Sequence, residues 1–225
     1  MKDIKLIAHG GFSAKYPENT IQSFSEAVKF TPYAIEMDIV LHPKTGKLIC
    51  FHPSGISSDS GTYDEQTLRE QVGAGEFFPL LSEVMSKIPS GNFLMDFKQP
   101  SKSSFKALFE SEINLDRVIV GIRNLEDYDL VRSMNNNVRV LALFSDPDDF
   151  VSFALKGGNF FRLWEKDLDK KRVNSIHEAN LEVWVTPGHK ATKILPRTTG
   201  EVDKSKLDWM VNLKVDAILV NDIEL

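Results

Sequence analysis

Short strand-like runs alternate with helical patterns along the whole chain, and this alternation restricts the possible folds more than any other feature. The strand-like segments are 5–9, 34–41, 92–98, 117–122, 139–144, 159–164, 182–187 and 217–221. The helical segments between them are 20–30, 79–88, 104–113, 125–134, 147–156, 170–179 and 204–214. This order is typical of βα units around a parallel sheet. Eight such units in 225 residues predict a (β/α)8 TIM barrel.

An open, doubly wound sheet is the alternative arrangement of alternating strands and helices. That fold commonly has a glycine-rich G-x-G-x-x-G loop, which this sequence lacks. We therefore expect one barrel domain over residues 1–225. Two long connections, 53–75 and 187–203, follow strand-like segments and are expected at the catalytic face, because the loops after the strands line the active site of a barrel.

Composition limits the partners and the metal ligands. The net charge of -5 argues against a nucleic-acid partner. No apolar run approaches the roughly 20 residues of a membrane span, and the run before His9 is too short for a signal peptide, so a cytoplasmic location is expected. Cys50 is the only cysteine, which excludes an intrachain disulfide and a thiolate metal cluster. These features leave the oligomeric state open.

Two strand-like segments have charged residues on one face and apolar residues on the other. In segment 34–41, Glu36 and Asp38 share a face, because side chains alternate along a strand. In segment 92–98, Asp96 and Lys98 share a face in the same way. Helices cover the outside of a barrel, so these charges are expected to point inward, near the strand ends where barrel active sites lie.

Three carboxylates in a confined space repel one another unless a cation neutralises them. Ligands that are all oxygen favour Ca²⁺ or Mg²⁺ over zinc. We therefore predict a divalent metal at Glu36, Asp38 and Asp96, with Lys98 as a second cationic contact for a phosphate. Either segment alone is equally consistent with an amphipathic strand that has a solvated face, but two such segments in one barrel pattern favour a site.

Two histidines at the ends of apolar runs could complete a catalytic site. His9 precedes Gly10 and Gly11, which would let a ligand approach the backbone closely. His52 follows the apolar run 48–51. An imidazole on each side of a phosphodiester suits general acid–base catalysis. For either histidine alone, a hydrogen-bonded structural role is the alternative.

The order and spacing of several motifs resemble those of the glycerophosphodiester phosphodiesterase family. The specific motifs are His9-Gly10-Gly11, Pro17-Glu18-Asn19-Thr20, Ile35-Glu36-Met37-Asp38, His52 and Met95-Asp96-Phe97-Lys98. Weaker similarity continues in 78–84, in Val183-Trp184-Val185-Thr186 and in 215–222. The resemblance covers essentially the whole chain.

The resemblance implies hydrolysis of a small-molecule phosphodiester, a glycerophosphodiester, to glycerol 3-phosphate and an alcohol. It also implies a divalent metal, often Ca²⁺ or Mg²⁺, held by Glu36, Asp38 and Asp96. His9 and His52 match the catalytic histidines of the family, Lys98 a lysine that contacts the phosphate, and Trp184 a tryptophan near the substrate. Glu18 and Asn19 match the Pro-Glu-Asn-Thr motif, which is expected to position the first loop and cap the next helix. Water and the substrate's own hydroxyl are both compatible with the role of attacking group.

Three positions depart from the family pattern. Gly10 stands where the family usually has an arginine, so one bidentate contact to the phosphate is missing. Asp96 stands where most members have glutamate, and Pro53 replaces an aspartate that would orient the imidazole of His52. The candidate replacements for the arginine are Arg123, Arg162 and His189, although an exposed or ion-paired position is the more ordinary interpretation of each.

Two other functions are compatible with these residues. Sphingomyelinase D-like phospholipases are a related barrel family with a similar Glu, Asp, Asp and Lys set. The Pro-Glu-Asn-Thr motif, the lack of a recognisable secretion signal and the lack of disulfide cysteines argue against them. A barrel that binds a phosphorylated ligand without hydrolysing it would be consistent with glycine at position 10.

Overall fold

The strands form one closed barrel. The computed structural model describes residues 4–43, 45–52, 79–190 and 198–225. The strands within them are β1 (Lys5–Ala8), β2 (Ala34–Leu41), β3 (Leu48–Cys50), β4 (Asn92–Phe97), β5 (Val118–Ile122), β6 (Arg139–Ala142), β7 (Phe160–Trp164), β8 (Glu182–Thr186) and β9 (Ala217–Val220). All except β3 pair in parallel around a ring, which closes because β1 pairs with both β2 and β9. The (β/α)8 prediction is confirmed.

Helices follow the strands around the ring, as the alternation predicts. In the described ranges they are α1 (Ile21–Val28), α2 (Leu81–Lys87), α3 (Lys102–Phe109), α4 (Leu125–Met134), α5 (Phe150–Leu155), α6 (Lys170–Glu178) and α7 (Lys204–Asn212). Each overlaps one of the predicted helical segments. None of these helices has the length and apolar character that crossing a membrane requires.

Side-chain caps fix the first turn of several helices. Asp169 accepts a hydrogen bond from the Arg172 N–H at 2.8 Å and so caps α6. Asp146 instead accepts the N–H of Asp148 in a turn that precedes α5. Helix α1 is capped by the hydroxyl of Thr20, so the Pro-Glu-Asn-Thr motif caps this helix as predicted.

Apolar residues pack on both sides of the barrel wall. Ile35, Met37 and Ile39 of β2 belong to the outer cluster, which lies between the strands and the helices. Inside the ring, each of the eight barrel strands contributes one residue to a second cluster, formed by Ile7, Ala34, Leu94, Ile119, Leu141, Phe160, Trp184 and Ala217. This inner cluster fills the barrel below the carboxyl ends of its strands, where the polar residues follow.

Strand β3 lies outside the ring and pairs antiparallel with residues 39–41, the end of β2. The sequence pattern marks this segment as apolar without predicting the pairing. The His42 N–H donates to the Lys47 carbonyl at 2.8 Å, where the chain turns back toward β2. Phe51, the first residue after β3, donates its N–H to the Asp38 carbonyl at 2.8 Å. This bond brings His52 to the carboxyl end of the barrel. The whole of the long connection predicted at 53–75 lies outside the described residues, as does 191–197 of the second connection.

Candidate active site

A cavity of about 500 Å³ opens at the carboxyl ends of the strands. Side chains alternate along a strand, so the residues two and four positions beyond the inner cluster face this space. The predicted site residues that line the cavity are His9, Glu36, His52, Asp96, Lys98 and Trp184. Asp38 is 1% exposed and pairs with Lys98 of the cavity wall. The barrel thus brings all seven predicted residues to one end.

The three carboxylates predicted as metal ligands converge. The register of β2 on β4 sets Asp38 directly beside Asp96. One oxygen from each of Glu36, Asp38 and Asp96 lies within 4.8 Å of the other two. Glu36 and Asp38 are buried, whereas Asp96 is partly exposed. A donor set made only of carboxylate oxygens at this spacing fits a hard divalent cation.

Two cationic side chains accompany the carboxylates. Lys98 pairs with Asp38, and its Nζ lies 2.7 Å from Oδ2 of Asp96. Arg123 pairs with the other oxygen of Asp96. Arg123 follows β5, so its approach to Asp96 on β4 depends on the parallel pairing of these two neighbouring strands.

Burial and charge act differently on the two buried carboxyls. Burial, reinforced by the negative charge of Asp38, raises the pKa of Glu36 well above its usual range. Burial also opposes ionisation of Asp38, but the positive charges of Lys98, His52 and His9 outweigh it and lower the pKa of that carboxyl. Glu36 is therefore the carboxylate that a further cation would stabilise most.

Asn19 fixes the orientation of Asp38, a role that the sequence does not reveal. Its amide Nδ2 donates to Oδ2 of Asp38 at 2.8 Å, and its Oδ1 accepts the Asp38 backbone N–H at 2.9 Å. Asn19 is buried and has a φ of 62°, in the left-handed region that asparagine tolerates better than most residues. The Pro-Glu-Asn-Thr motif therefore supplies both the helix cap at Thr20 and a support for Asp38.

His9 is held by a residue from the opposite end of the chain. Its Nδ1 lies 2.6 Å from Oδ1 of Asn221, whose Nδ2 donates to the Thr199 carbonyl at 2.9 Å. The amide oxygen is thus the acceptor, so His9 carries a proton on Nδ1. Gly200 makes this arrangement possible, because a Cβ there would lie 2.2 Å from Oδ1 of Asn221 and 3.1 Å from Nδ1 of His9.

Trp184 belongs to the floor of the cavity. It is 3% exposed, and its ring stacks on Phe160 with 4.6 Å between the centroids. Its indole N–H donates to Glu182 at 3.3 Å. The predicted tryptophan is therefore part of the inner apolar cluster and also lines the cavity that the charged residues line.

The candidate replacements for the missing arginine have different positions. Arg123 and Arg162 both line the cavity. Arg162 is 6% exposed and forms no ion pair within the described ranges, so it is neither a solvent-exposed nor an ion-paired arginine there. His189 is exposed, with its Nδ1 at 3.0 Å from the Lys190 carbonyl. A side chain at position 10 would press on Glu18, since a Cβ there would lie 2.7 Å from Cβ of that residue.

Comparison with known proteins places this geometry in one family. Residues 9–225 match the sequence model of the glycerophosphoryl diester phosphodiesterase family. A glycerophosphodiester phosphodiesterase of Caldanaerobacter subterraneus is 28% identical over 246 residues, which span 97% of this chain and 94% of the relative.

Solved structures share the fold over nearly the full length. A glycerophosphodiester phosphodiesterase from Thermotoga maritima has a TM-score of 0.75 at 17% identity and covers 100% of this chain and 97% of its own. An Oleispira antarctica phosphodiesterase, solved in complex with the product sn-glycerol-3-phosphate, has a TM-score of 0.76 at 17% identity and covers 96% and 92%. The match over residues 9–225 shows that the chain belongs to the glycerophosphoryl diester phosphodiesterase family and is an enzyme of the class that hydrolyses glycerophosphodiesters.

Proposed function

We propose that this chain hydrolyses glycerophosphodiesters to glycerol 3-phosphate and an alcohol in a metal-dependent reaction, with His9 and His52 as the acid–base pair. The observation that carries the proposal is the convergence of three carboxylates within 4.8 Å at a cavity that both histidines line. The phosphodiesterase that binds sn-glycerol-3-phosphate supports the choice of product. We infer that residues 1–225 act as one domain, since strands from both ends of the chain pair in the same ring.

The proposed metal ligands are Glu36, Asp38 and Asp96, with Mg²⁺ or Ca²⁺ as the ion because all the donors are carboxylate oxygens. When bound, a divalent ion would neutralise these carboxylates and polarise the phosphate oxygens. Lys98 would bind a phosphate oxygen, since its ammonium already lies at the edge of the carboxylate cluster and lines the cavity. Trp184 would form the apolar floor beneath the substrate.

His9 and His52 would move protons on the two sides of the phosphate. Asn221 accepts a hydrogen bond from Nδ1 of His9, so Nε2 is the ring nitrogen that would exchange a proton with the attacking oxygen or the leaving alcohol. Both imidazoles line the same cavity as Glu36 and Asp96. One imidazole would accept the proton of the attacking oxygen while the other donates a proton to the leaving alcohol.

Glycerophosphocholine tests the proposed reaction. We expect the wild-type protein to release glycerol 3-phosphate and choline with Mg²⁺ or Ca²⁺ present, and a chelator to lower the rate roughly tenfold or more. Phosphorus NMR would identify the product. A rate that the chelator does not change would contradict the metal, and a different phosphorus product would contradict the substrate assignment. Binding of glycerophosphocholine without turnover would favour the non-hydrolytic alternative.

Replacing Asn221 by aspartate tests its contact with His9. A carboxylate 2.6 Å from Nδ1 would favour the imidazolium form, so the limb of the pH–rate profile that His9 governs should move up by about 1 pH unit. Asn136→Asp is the matched control, because Asn136 is exposed on the connection that leads to the amino end of β6. A pH–rate profile that coincides with wild type would show that Asn221 does not act through His9.

A further inference from the structure

A second group of cations lines the cavity opposite Glu36. Following the ring from β2, strands β4, β5, β6, β7 and β8 come in order, so β7 faces β2 across the barrel. Arg123 follows β5, Arg162 lies on β7 and Lys190 follows β8, and all three line the cavity. Arg162 and Lys190 also share Trp164, whose ring centroid is 4.6 Å from the Arg162 guanidinium carbon and 5.7 Å from the Lys190 ammonium.

Arg162 has hydrogen-bonding capacity that the described residues do not use. Its Nη2 donates to the carbonyls of Leu143 at 3.1 Å and Phe144 at 3.3 Å, but its buried Nη1 has no partner in the described part of the chain. Burying a guanidinium N–H without a partner is costly, and a charged group costs more than a neutral one. A bound anion would supply the missing acceptor.

The charges around Arg162 also favour an anion. Burial and the neighbouring Arg123 lower its pKa to about 10, so it remains a cation at neutral pH. Partial burial and the charges of Arg123, Arg162 and Lys98 lower the pKa of Lys190. The acidic groups that act on Arg162 are Asp96, which already pairs with Lys98 and Arg123, and Asp167. The cations on this side therefore outnumber their acidic partners.

The space beside Arg162 continues beyond the first cavity. A second cavity shares its wall with the first through Arg123, Leu143, Arg162, Trp164 and Lys190. A substrate whose phosphodiester lies at the carboxylate cluster can therefore extend past Arg162. The phosphodiester carries one negative charge, and the glycerol part adds only hydroxyls, so a second negative charge would have to lie in the alcohol part.

We propose that Arg123, Arg162 and Lys190 form a second anion subsite, which binds a phosphate monoester on the alcohol part of the substrate. The inference rests on the proposed function, since it assumes that the scissile phosphodiester lies at the carboxylate cluster. A guanidinium binds phosphate oxygens in pairs, and two guanidinium groups on neighbouring parts of the wall suit the several oxygens of a monoester. The preferred substrates are then glycerophosphodiesters with a phosphorylated alcohol.

A matched pair of ligands tests the subsite: glycerophosphoglycerol, and the same molecule with a phosphate on its terminal hydroxyl. Calorimetry on the His9→Ala variant would measure binding without turnover. We expect the phosphorylated ligand to bind about tenfold more tightly or better. Adding Arg162→Gln should reduce this advantage about tenfold, and adding Lys190→Gln should also reduce it. Lys206→Gln is the control and should keep the advantage, because Lys206 lies in the second cavity paired with Glu165.

Equal dissociation constants for the two ligands would overturn the subsite, and so would an advantage that Arg162→Gln and Lys190→Gln both leave unchanged. Circular dichroism would show whether Arg162→Gln folds. If it does not, the binding preference of Lys190→Gln tests the subsite, because Lys190 is exposed and its replacement should not disturb the fold. Hydrolysis of glycerophosphoglycerol by the wild-type protein tests the proposed function separately. Hydrolysis without a binding preference contradicts the subsite alone, whereas a preference without hydrolysis contradicts the proposed function alone.

Discussion

Replacing Glu36 by glutamine is expected to lower the phosphodiesterase rate roughly a hundredfold or more, since a bound metal contributes several kcal/mol to the transition state. The same change should stabilise the chelator-treated protein. Glu36 is 4% exposed, and burial together with Asp38 raises its pKa well above the usual range. The amide can still accept the Gly10 N–H through its oxygen but carries no charge. We expect the free energy of unfolding in chelator to increase by about 1–3 kcal/mol. The melting temperature should rise by roughly 2–4 °C for each kcal/mol.

The pH dependence of this gain has a definite sign. A carboxyl whose pKa is raised on folding costs no stability below its unfolded pKa, and the cost grows as the pH rises toward the folded pKa. The advantage of Glu36→Gln in chelator should therefore be larger at pH 8 than at pH 5. Glu178→Gln, at an exposed position on α6, is the control and should change neither rate nor stability. Full activity in Glu36→Gln would contradict the metal site, and a loss of stability in chelator would contradict the role of repulsion.

Removing either histidine is expected to lower kcat on glycerophosphocholine by about 10²–10⁴, the usual contribution of a general acid or base. The two variants should differ on bis(p-nitrophenyl) phosphate, because p-nitrophenolate leaves without needing a proton. The variant that lacks the general acid should then recover most of its rate, while the variant that lacks the general base should not. Comparing His9→Ala with His52→Ala on both substrates thus assigns the two roles.

His177→Ala is the control for the loss of an imidazole. His177 lies on the outer helix α6, with Nε2 at 2.7 Å from Asp216, so its removal should leave kcat nearly unchanged. If both His9→Ala and His52→Ala keep near-normal rates on glycerophosphocholine, the acid–base pair is wrong. If neither variant regains its rate on bis(p-nitrophenyl) phosphate, the results contradict protonation of the leaving group by one of these histidines.

The ring could be predicted from sequence because each strand is short, locally apolar and separated from the next by a helical pattern. The convergence of Glu36, Asp38 and Asp96 could be predicted for the same reason, since alternation on β2 and β4 sends these carboxylates to the inner face. The bonds from Asn19 to Asp38 could not be predicted, because they depend on a left-handed turn and on the depth of burial. The pairing of β3 with the end of β2 likewise depends on a turn that local composition does not specify.

The sequence nevertheless contains a pattern that indicates an inward-facing Arg162. In Phe160-Phe161-Arg162-Leu163-Trp164, alternation places Arg162 on the same face as Phe160 and Trp164, which is unusual for a solvated arginine. The same reasoning places Arg123, four positions after the inner-cluster residue Ile119, on the inner side just beyond the end of β5. The unpartnered Nη1 donor of Arg162 could not be predicted from the sequence. The hydrogen-bond partners of a guanidinium depend on which carbonyls the neighbouring loops place beside it.

The contact between His9 and Asn221 links the first strand to the residue that follows the last one. During synthesis the ribosome releases the amino-terminal part of the chain first, and this histidine gains its acceptor only when β9 pairs beside β1. A chain that lacks β9 would lose both the strand that closes the ring beside β1 and the amide that orients the His9 imidazole. We therefore expect a variant truncated before β9 to be inactive toward glycerophosphodiesters.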